Sequence, residues 1–594
     1  MDKISVIFVN YNSGPFLREA VENLKRQQSG IEIIVVDNGS YDNSAHFCHQ
    51  EEGVRLLNGG ENPGFACAAN RGAGAATGDL LLFLNPDALV LSGAVAELAK
   101  FLVGNESAGV CGALTLDFHG REQYGGRRRD PTLGRACGKV ARLIFPGSRF
   151  PTFDLTDEKP FLAPTAVDAV SGACMMVKAK VHRAIGGFDE DYFLHFEDLD
   201  YCRRVRVAGW TVIFHPGAPV FHYQGASSGL AALSMLRHKQ AGLQRYLRKF
   251  RPARSLRSWG EEALLQVLKG VGLALLWLQP QSISRGLCSA TRLHTMSRVV
   301  SGREPVVLVL GGRSDIGEIF CARLNAAGIA TVCISRSPEN SRDFPKTVTL
   351  HPDFLQRNQV ANQLTIKGIV SLCPIWELPS YASALQTPAV CLTPWVIFSS
   401  TSVLTHGVSA SGRPTGVSAR LKEGEDWVTA FRKEAKAQTQ IVRPTLVYGG
   451  RLNKNINVIR DLGRFFRVVL DLPFGKGLRS PIHADDMGDW CVGLVRKISG
   501  PSDSGESLGV VAAQGGEALA FNALLKRATR ASGAGLFSAR PGRRLVTLGL
   551  LIGGFVPVLR KLPPDFLQRL ERDFIFDNHQ AARLYPLTVR RFHP

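Results

Sequence analysis

The chain has no aspartate or glutamate between Tyr201 and Gly260, although eleven basic residues fall there: Arg203, Arg204, Arg206, Arg237, Lys239, Arg245, Arg248, Lys249, Arg251, Arg254 and Arg257. It also lacks paired cysteines at metal spacing. Its twelve cysteines are scattered without CxxC pairs or histidine partners, which excludes a zinc module and reads as reduced thiols in a cytosolic protein. No run reaches the roughly 18 apolar residues of a spanning helix. The nearest are Gly270–Leu278 and Leu545–Leu559, the latter interrupted by Gly553, Gly554 and Pro557, and both read as core or interfacial helices. No signal-like segment precedes Ile4-Ser-Val-Ile-Phe-Val9, and repeats and low-complexity tracts are missing.

What is present is a long, basic chain. At 594 residues it exceeds one hydrophobic core, so two to four domains are expected. Hydrophobic content of 45% with 21% charge excludes large-scale disorder. The net charge of +20 implies a polyanionic partner: nucleic acid, anionic lipid or a phosphorylated substrate. The acid-free stretch suits a solvated face, a diphosphate-bearing acceptor or a lipid surface.

Residues 1–115 alternate strand-like runs (Ser5–Val9, Ile31–Val36, Leu80–Leu84) with helix-like ones (Phe16–Gln27, Ala94–Val103). That alternation argues for an α/β sheet with ligands beyond the strand carboxyl ends. Residues 116–165, rich in Arg, Gly and Pro, read as a loop excursion over an acceptor site. Ser282–Arg303 reads as a linker, and a fresh α/β pattern begins at Pro305.

Four motifs follow in order through the first half. Val35-Val-Asp-Asn-Gly-Ser40 ends a strand with a carboxylate that can accept hydrogen bonds from a nucleobase. Asn62-Pro-Gly-Phe-Ala-Cys-Ala-Ala-Asn-Arg-Gly72 is a glycine-led helix start suited to a diphosphate. Leu84-Asn-Pro-Asp87 places an acid at a strand end. Gly187-Phe-Asp-Glu-Asp-Tyr-Phe-Leu-His-Phe-Glu-Asp-Leu-Asp-Tyr-Cys-Arg203 sets Glu197 and Asp198 after an aromatic run. Phe221-His-Tyr223 then supplies His222.

Together these motifs, over roughly residues 1–250, resemble the inverting family-2 glycosyltransferases of the rhamnosyltransferase-like branch. The resemblance implies a GT-A fold and a single-displacement transfer, with Asn10, Asp37, Asn38, Gly64, Asn70 and Asp87 on the donor. Asn85 stands where the family's first DxD acid belongs, so Asp87 is the implied Mg or Mn ligand. His222 is the second, ahead of His195 and His215. By motif position Asp198 is the expected general base, with Glu197 orienting it or the acceptor.

In the second half, Val306-Val-Leu-Val-Leu-Gly-Gly-Arg-Ser-Asp-Ile-Gly317, Phe398-Ser-Ser-Thr-Ser-Val403, Arg443-Pro-Thr-Leu-Val-Tyr-Gly449 and Arg479-Ser-Pro-Ile-His-Ala-Asp-Asp-Met487 resemble the landmarks of epimerase/dehydratase-like extended short-chain dehydrogenases. Asp577-Asn578 and Pro586–Phe592 resemble their usual ending. A Rossmann-like doubly wound domain with a dinucleotide at Gly311, Gly312, Ile316 and Gly317 is implied. Ser314 takes the place of the middle glycine, and Thr401 matches the catalytic Ser/Thr. Ser335-Arg336 closing the second strand suits the 2′-phosphate of NADP better than the ribose of NAD. The Tyr-x-x-x-Lys pair is missing: Gly416 and Arg420 occupy its places.

The domains expected are therefore a glycosyltransferase domain over 1–250, a basic helical linker over 251–303 and an NAD(P)-binding domain over 304–594. The expected function is transfer of a sugar from a nucleotide-diphospho-sugar to a polyprenyl-diphosphate-linked saccharide in surface polysaccharide synthesis. The location is cytoplasmic, with peripheral contact to the inner face of an anionic membrane and no nucleic acid as partner. Two rivals are a bifunctional enzyme whose main activity is an NAD(P)-dependent epimerase, dehydratase or reductase, and a polyanion-binding protein on an inactive transferase fold.

Overall fold

The structure is a computed structural model that describes residues 3–27, 30–145, 147–223, 232–250, 290–338, 344–356, 364–385, 393–401, 416–435, 438–449, 468–498, 509–530, 537–544, 570–577, 579–586 and 589–592. Gly270–Leu278, Leu545–Leu559 and Asn578 lie outside these residues. The chain divides into two compact units, Met1–Glu304 and Pro305–Pro594.

Valine, isoleucine and leucine runs in the first unit form strands buried on both faces, which suits parallel pairing under helices. β1 (Ile4–Asn10), β2 (Glu32–Asp37), β3 (Val54–Asn58) and β4 (Leu80–Leu84) are parallel in the order β3-β2-β1-β4. The sheet continues through β10 (Cys174–Lys178), antiparallel to β4, then β6 (Ala108–Leu116), β11 (Thr211–His222) and β5 (Ala88–Val90). α1 (Phe16–Gln27) buries Leu17, Ala20, Val21 and Leu24, an i, i+3, i+4, i+7 stripe, in the core beneath this sheet. α2 (Phe65–Ala75), α3 (Ala94–Gly104) and α5 (Ala179–Ala184) follow β3, β5 and β10. Motif-bearing strand ends thus converge on one edge, where β1, β2, β4 and β11 stop.

The expected linker is partly something else. Ala290–Val300 is a helix packed on α1, where Arg26 Nη1 donates to Ser297 Oγ at 2.8 Å and Ser92 N–H donates to Val300 O at 3.1 Å. Its apolar face, with Leu293, Met296, Val299 and Val300 buried, draws it into the first unit.

The second unit is doubly wound. β12 (Val306–Leu310), β13 (Thr331–Ile334), β14 (Thr347–Leu350), β15 (Ile366–Ser371), β16 (Trp395–Phe398), β17 (Thr439–Pro444) and the strand Val510–Ala513 are all parallel, in the order β14-β13-β12-β15-β16-β17-Val510–Ala513. The order reverses between β12 and β15, the topological switch point where ligands bind in such sheets. The fold class expected from the sequence, a GT-A-type α/β unit followed by a Rossmann-like one, is the one adopted.

Candidate active site

At the edge where β1 and β2 end, Asn10 and Asp37 close neighbouring strands. Asn10 Nδ2 donates to Asp37 Oδ1 at 2.8 Å, and Ser40 Oγ donates to the same oxygen at 2.6 Å. Asn10 is fully buried, so it fixes the carboxylate, and Asp37 is the half-buried group of the two. Asn38 Nδ2 donates to Asn62 Oδ1 at 2.8 Å and to Gly64 O at 3.2 Å, tying the first sequence motif to the second.

Gly64, at φ +98°, precedes α2. A Cβ there would stand 2.7 Å from Phe193 O, and Phe65 N–H donates to that carbonyl at 2.9 Å. The glycine therefore permits close contact with the loop that carries the acid pair. The Asn70 amide is engaged within the protein rather than left open for the expected donor contact: its Oδ1 accepts from Phe188 N–H at 2.8 Å and its Nδ2 donates to Phe188 O at 2.9 Å. With both ends on Phe188 and Nδ2 also donating to Glu190 Oε1 at 2.9 Å, Asn70 pins the Gly-Gly-Phe-Asp turn.

The pairing of β5 with β11 sets His222 opposite Ala88 and brings Asp87 Oδ1 within 3.3 Å of His222 Nε2. Asn85 Nδ2 lies 3.1 Å from the same nitrogen. On the other side of the ring, His222 Nδ1 is 2.6 Å from Gln123 Oε1, and Gln123 Nε2 donates to His222 O at 3.1 Å. Because Gln123 presents its oxygen, Nδ1 is the donor on that side, and Nε2, which faces Asn85 Nδ2 and Asp87 Oδ1, is the ring nitrogen placed beside the carboxylate. A carboxylate oxygen and an imidazole nitrogen converging in this way fit a Mg or Mn ion. Among the described residues no cluster of three or more His, Cys, Asp or Glu could hold a metal, so diphosphate oxygens and water would complete the shell. His215 sits edge-on to Phe101 at 5.5 Å and is no part of this pair, and burial lowers the His195 pKa to about 4.

The acid pair opens α6 (Glu197–Val207), whose N-terminal dipole favours negative charge. His195 and Phe196 both stand in the left-handed region, at φ +68° and +74°. Two successive non-glycine residues there cost about 1 kcal/mol each, strain of the kind held at functional sites. The two acids then part company. Asp198 is saturated: Oδ1 accepts from Leu199 N–H (2.8 Å) and Arg128 Nη1 (3.3 Å), and Oδ2 from Gly172 N–H (3.0 Å) and Arg128 Nη2 (2.5 Å). Burial opposes its ionisation, but Arg128 and these amides outweigh burial and hold its pKa below the ordinary value. Glu197 Oε2 is buried with no partner among the described residues. Burial, then the Asp198 charge, push the Glu197 pKa up to about 8.

Arg128 and Gln123 come from the stretch read only as a loop excursion. Arg128 lies in β7 (Arg127–Arg128), paired with β9 (Ala169–Val170). The run Arg127-Arg128-Arg129 was its one sequence signal, and such runs are ordinarily solvated; Gln123 gave none. The acid-free stretch is also less exposed as charge than its sequence suggests. Arg245 in α7 (Ala232–Lys249) pairs with Asp189 at 3.0 Å, Lys249 with Asp189 and Asp200 at 2.6 Å each, Arg204 with Asp200 at 2.6 Å and Arg206 with Asp130 at 2.5 Å. Arg203 stacks over Phe250, 4.3 Å from the ring centre. Arg251, Arg254 and Arg257 lie outside the described residues.

In the second unit Gly311 turns at φ +76°, where a Cβ would stand 2.7 Å from Cys373 N. Gly317 is so close that its Cβ would lie 2.4 Å from Gly312 C, and a Gly312 Cβ would meet Cys333 Sγ at 2.3 Å. Ser314 caps the helix Asp315–Ala326 by accepting from Gly317 N–H at 3.0 Å; Ile316 is half-buried in its first turn. The Arg336 guanidinium is 78% exposed, 3.9 Å from Glu377. These features fit a dinucleotide at the switch point. The proton-transfer pair does not fit: Gly416 precedes the helix Val417–Ala435 at φ +58°, and Arg420 lies over Trp376 at 4.4 Å. Thr401 Oγ1 donates to Pro444 O at 3.2 Å.

The sequence matches the family model described as glycosyl transferase family 2 over residues 5–186. It is 31% identical to the N-acetylglucosaminyl-diphospho-decaprenol L-rhamnosyltransferase of Mycobacterium tuberculosis, over 38% of this chain and 78% of that protein. It is 24% identical to the rhamnosyltransferase WbbL of Escherichia coli, over 37% of this chain and 83% of that protein. Among solved structures, MoeE5 in complex with UDP-glucuronic acid and NAD aligns with 48% of this chain and 94% of its own, at 18% identity and a TM-score of 0.33. The Rossmann assignment rests on the parallel strand order, not on that likeness. By its similarity to the mycobacterial transferase over most of that protein's length, the chain belongs to glycosyltransferase family 2, and it is an enzyme of that class.

Proposed function

We propose that the first unit transfers a hexose or deoxyhexose, with inversion, from a nucleotide-diphospho-sugar to a saccharide carried on a polyprenyl diphosphate. The observation that carries this reading is the division of labour within the acid pair: Asp198 is neutralised by Arg128, while Glu197 keeps an unengaged oxygen and a proton affinity near neutrality. Environments that push two adjacent carboxyls apart in this way assign their roles. Glu197, rather than the expected Asp198, takes the proton of the acceptor hydroxyl as that oxygen attacks the anomeric carbon and the nucleoside diphosphate departs. Asp198 holds Arg128 and the first turn of α6 in place.

Asp37 and Asn38 face the base and ribose of the donor. Asp87 and His222 would hold Mg or Mn, which supplies positive charge to the leaving diphosphate. The lipid-linked acceptor is supported by the mycobacterial relative, whose name gives such an acceptor. No helix among the described residues is long and apolar enough to cross a membrane. In this reading the enzyme meets the lipid peripherally, on the cytoplasmic face.

The second unit binds NADP, with Arg336 on the 2′-phosphate, and carries out no hydride transfer. Gly416 provides no phenol and Arg420 is committed to Trp376, which disfavours the reading of an epimerase or dehydratase as the main activity. The test is to incubate the full chain with a panel of nucleotide-sugars and a short-chain polyprenyl-diphosphate N-acetylglucosamine, with and without Mn. Mn-dependent appearance of an inverted glycoside is expected. Failure of every donor to turn over would overturn the reading.

A further inference from the structure

The excursion between β6 and β8 (Thr165–Ala166) is a built projection. From β7 the chain enters α4 (Leu133–Ile144), with Thr132 Oγ1 capping its start at 3.3 Å from Arg135 N. It turns at Phe145–Ser148, where Ser148 N–H donates to Phe145 O, and Gly147 adopts φ +89°. The returning segment lies tight against the helix: a Cβ on Gly138 would stand 2.0 Å from Pro151 O, and Arg142 Nε donates to Phe150 O at 2.6 Å. The base of the projection is equally fixed. Arg129 N–H donates to Phe153 O at 2.7 Å and Leu155 N–H to Arg127 O at 3.1 Å.

The tip of this hairpin is apolar and wet. Ile144, Phe145 and Phe150 are 47%, 61% and 46% exposed within seven residues of chain, with exposed Arg149 among them and no acid partner for it among the described residues. The sequence from Pro131 to Phe153 contains no aspartate or glutamate but holds Arg135, Lys139, Arg142 and Arg149; Arg142 pairs with Asp157 and Arg135 donates to Asp130 O at 2.7 Å, which leaves Arg149 as the exposed cation of the tip. Two phenylalanines and an isoleucine on a basic tip are chemistry for a lipid–water interface, where rings enter the acyl boundary and cations meet anionic headgroups. The other end is the active site, since Arg128 at the foot of α4 binds Asp198. α4 has twelve residues, a rise of about 18 Å from foot to tip.

We propose that the α4 hairpin tip is the membrane contact of this protein, seating Phe145, Phe150 and Ile144 in an anionic lipid surface and thereby setting Arg128 and the acid pair at the height of a lipid-linked acceptor. The inference rests on the lipid-linked acceptor proposed above. It assigns the lipid contact to the hairpin, not to the acid-free stretch, most of whose described cations are engaged within the protein.

The experiment uses the full chain and vesicles of phosphatidylcholine with or without phosphatidylglycerol. Wild type should sediment with the anionic vesicles, less so as ionic strength rises through about 0.15 M, where screening length falls to about 8 Å. F145S/F150S should lower partitioning by roughly tenfold or more, because both rings that would leave water are removed. The same variant should lose transfer to a full-length lipid acceptor in vesicles while keeping wild-type transfer to a water-soluble short-chain acceptor. As a second readout, the fluorescence of a Phe145→Trp variant should be quenched by brominated acyl chains beyond the wild-type background. Unchanged partitioning of the double variant, quenching of Phe145→Trp no greater than that of wild type, or association of the tip with a second copy of the chain in place of vesicles would each overturn the proposal. A wild type that binds vesicles through the tip but transfers to neither acceptor would instead refute the transferase reading and leave the lipid contact standing.

Discussion

Exchange of the two acids separates their roles. Glu197→Gln removes the proton acceptor without changing shape, and the turnover number should fall by about 10² to 10⁴. Asp198→Asn should also be slow, for another reason: Arg128, its side chain 11% exposed, loses its counter-ion, at a cost of about 3–5 kcal/mol. The double variant Arg128→Met with Asp198→Asn removes both charges, so it should recover stability and part of the activity. It stays inactive if Asp198 is the base. The pH dependence carries a second signature. Burial and the Asp198 charge raise Glu197 from 4.5 to about 8, so the acid limb of wild-type turnover should lie near pH 8 and move lower when the Asp198 charge is removed. Stability runs the opposite way. Below the unfolded value both states hold the proton; above it the unfolded chain ionises while the native chain resists until about pH 8, so stability is lost as pH rises through that window. Glu197→Gln has no such loss and should exceed wild type by on the order of 2–4 kcal/mol at pH 9, with little difference at pH 4. Urea melts at the two pH values and steady-state transfer assays read these effects. Turnover of Glu197→Gln within threefold of wild type would refute the reasoning.

Gln123→Ala should weaken Mn binding by about 10- to 100-fold, measured by calorimetry with nucleoside diphosphate present, because His222 loses the partner that fixes its tautomer. Asn70→Ala should destabilise the first unit by about 1–3 kcal/mol in denaturant melts, since Phe188 N–H and C=O lose both bonds, with nucleotide affinity nearly unchanged. Fluorescence titration should show NADPH binding at least a few-fold tighter than NADH, abolished as a preference in Arg336→Ala; equal binding of the two by wild type would remove Arg336 from the site. Gly416→Tyr with Arg420→Lys should not restore oxidation of a nucleotide-sugar, because a tyrosine at φ +58° is strained by about 1–2 kcal/mol and precedes the helix; detectable hydride transfer in that variant would contradict this.

What the sequence determined by itself are the features that repeat along the chain or sit at strand ends. Unbroken apolar runs such as Val6–Val9 and Leu80–Leu84 dictate buried parallel strands, the Phe16–Gln27 stripe dictates a helix, and motif and position single out Asp37, Asp87 and Glu197-Asp198 as candidates. Tertiary structure decided what depends on partners far apart in sequence. Asp198 meets an arginine 70 residues away, His222 a glutamine 99 residues away, and the arginines and lysine of the acid-free stretch meet Asp130, Asp189 and Asp200. A pKa is set by burial and by every nearby charge, and neither is ordered along the chain, so two adjacent carboxyls that look alike in sequence become an ion-paired carboxylate and a carboxyl of raised proton affinity only once the chain has folded around them.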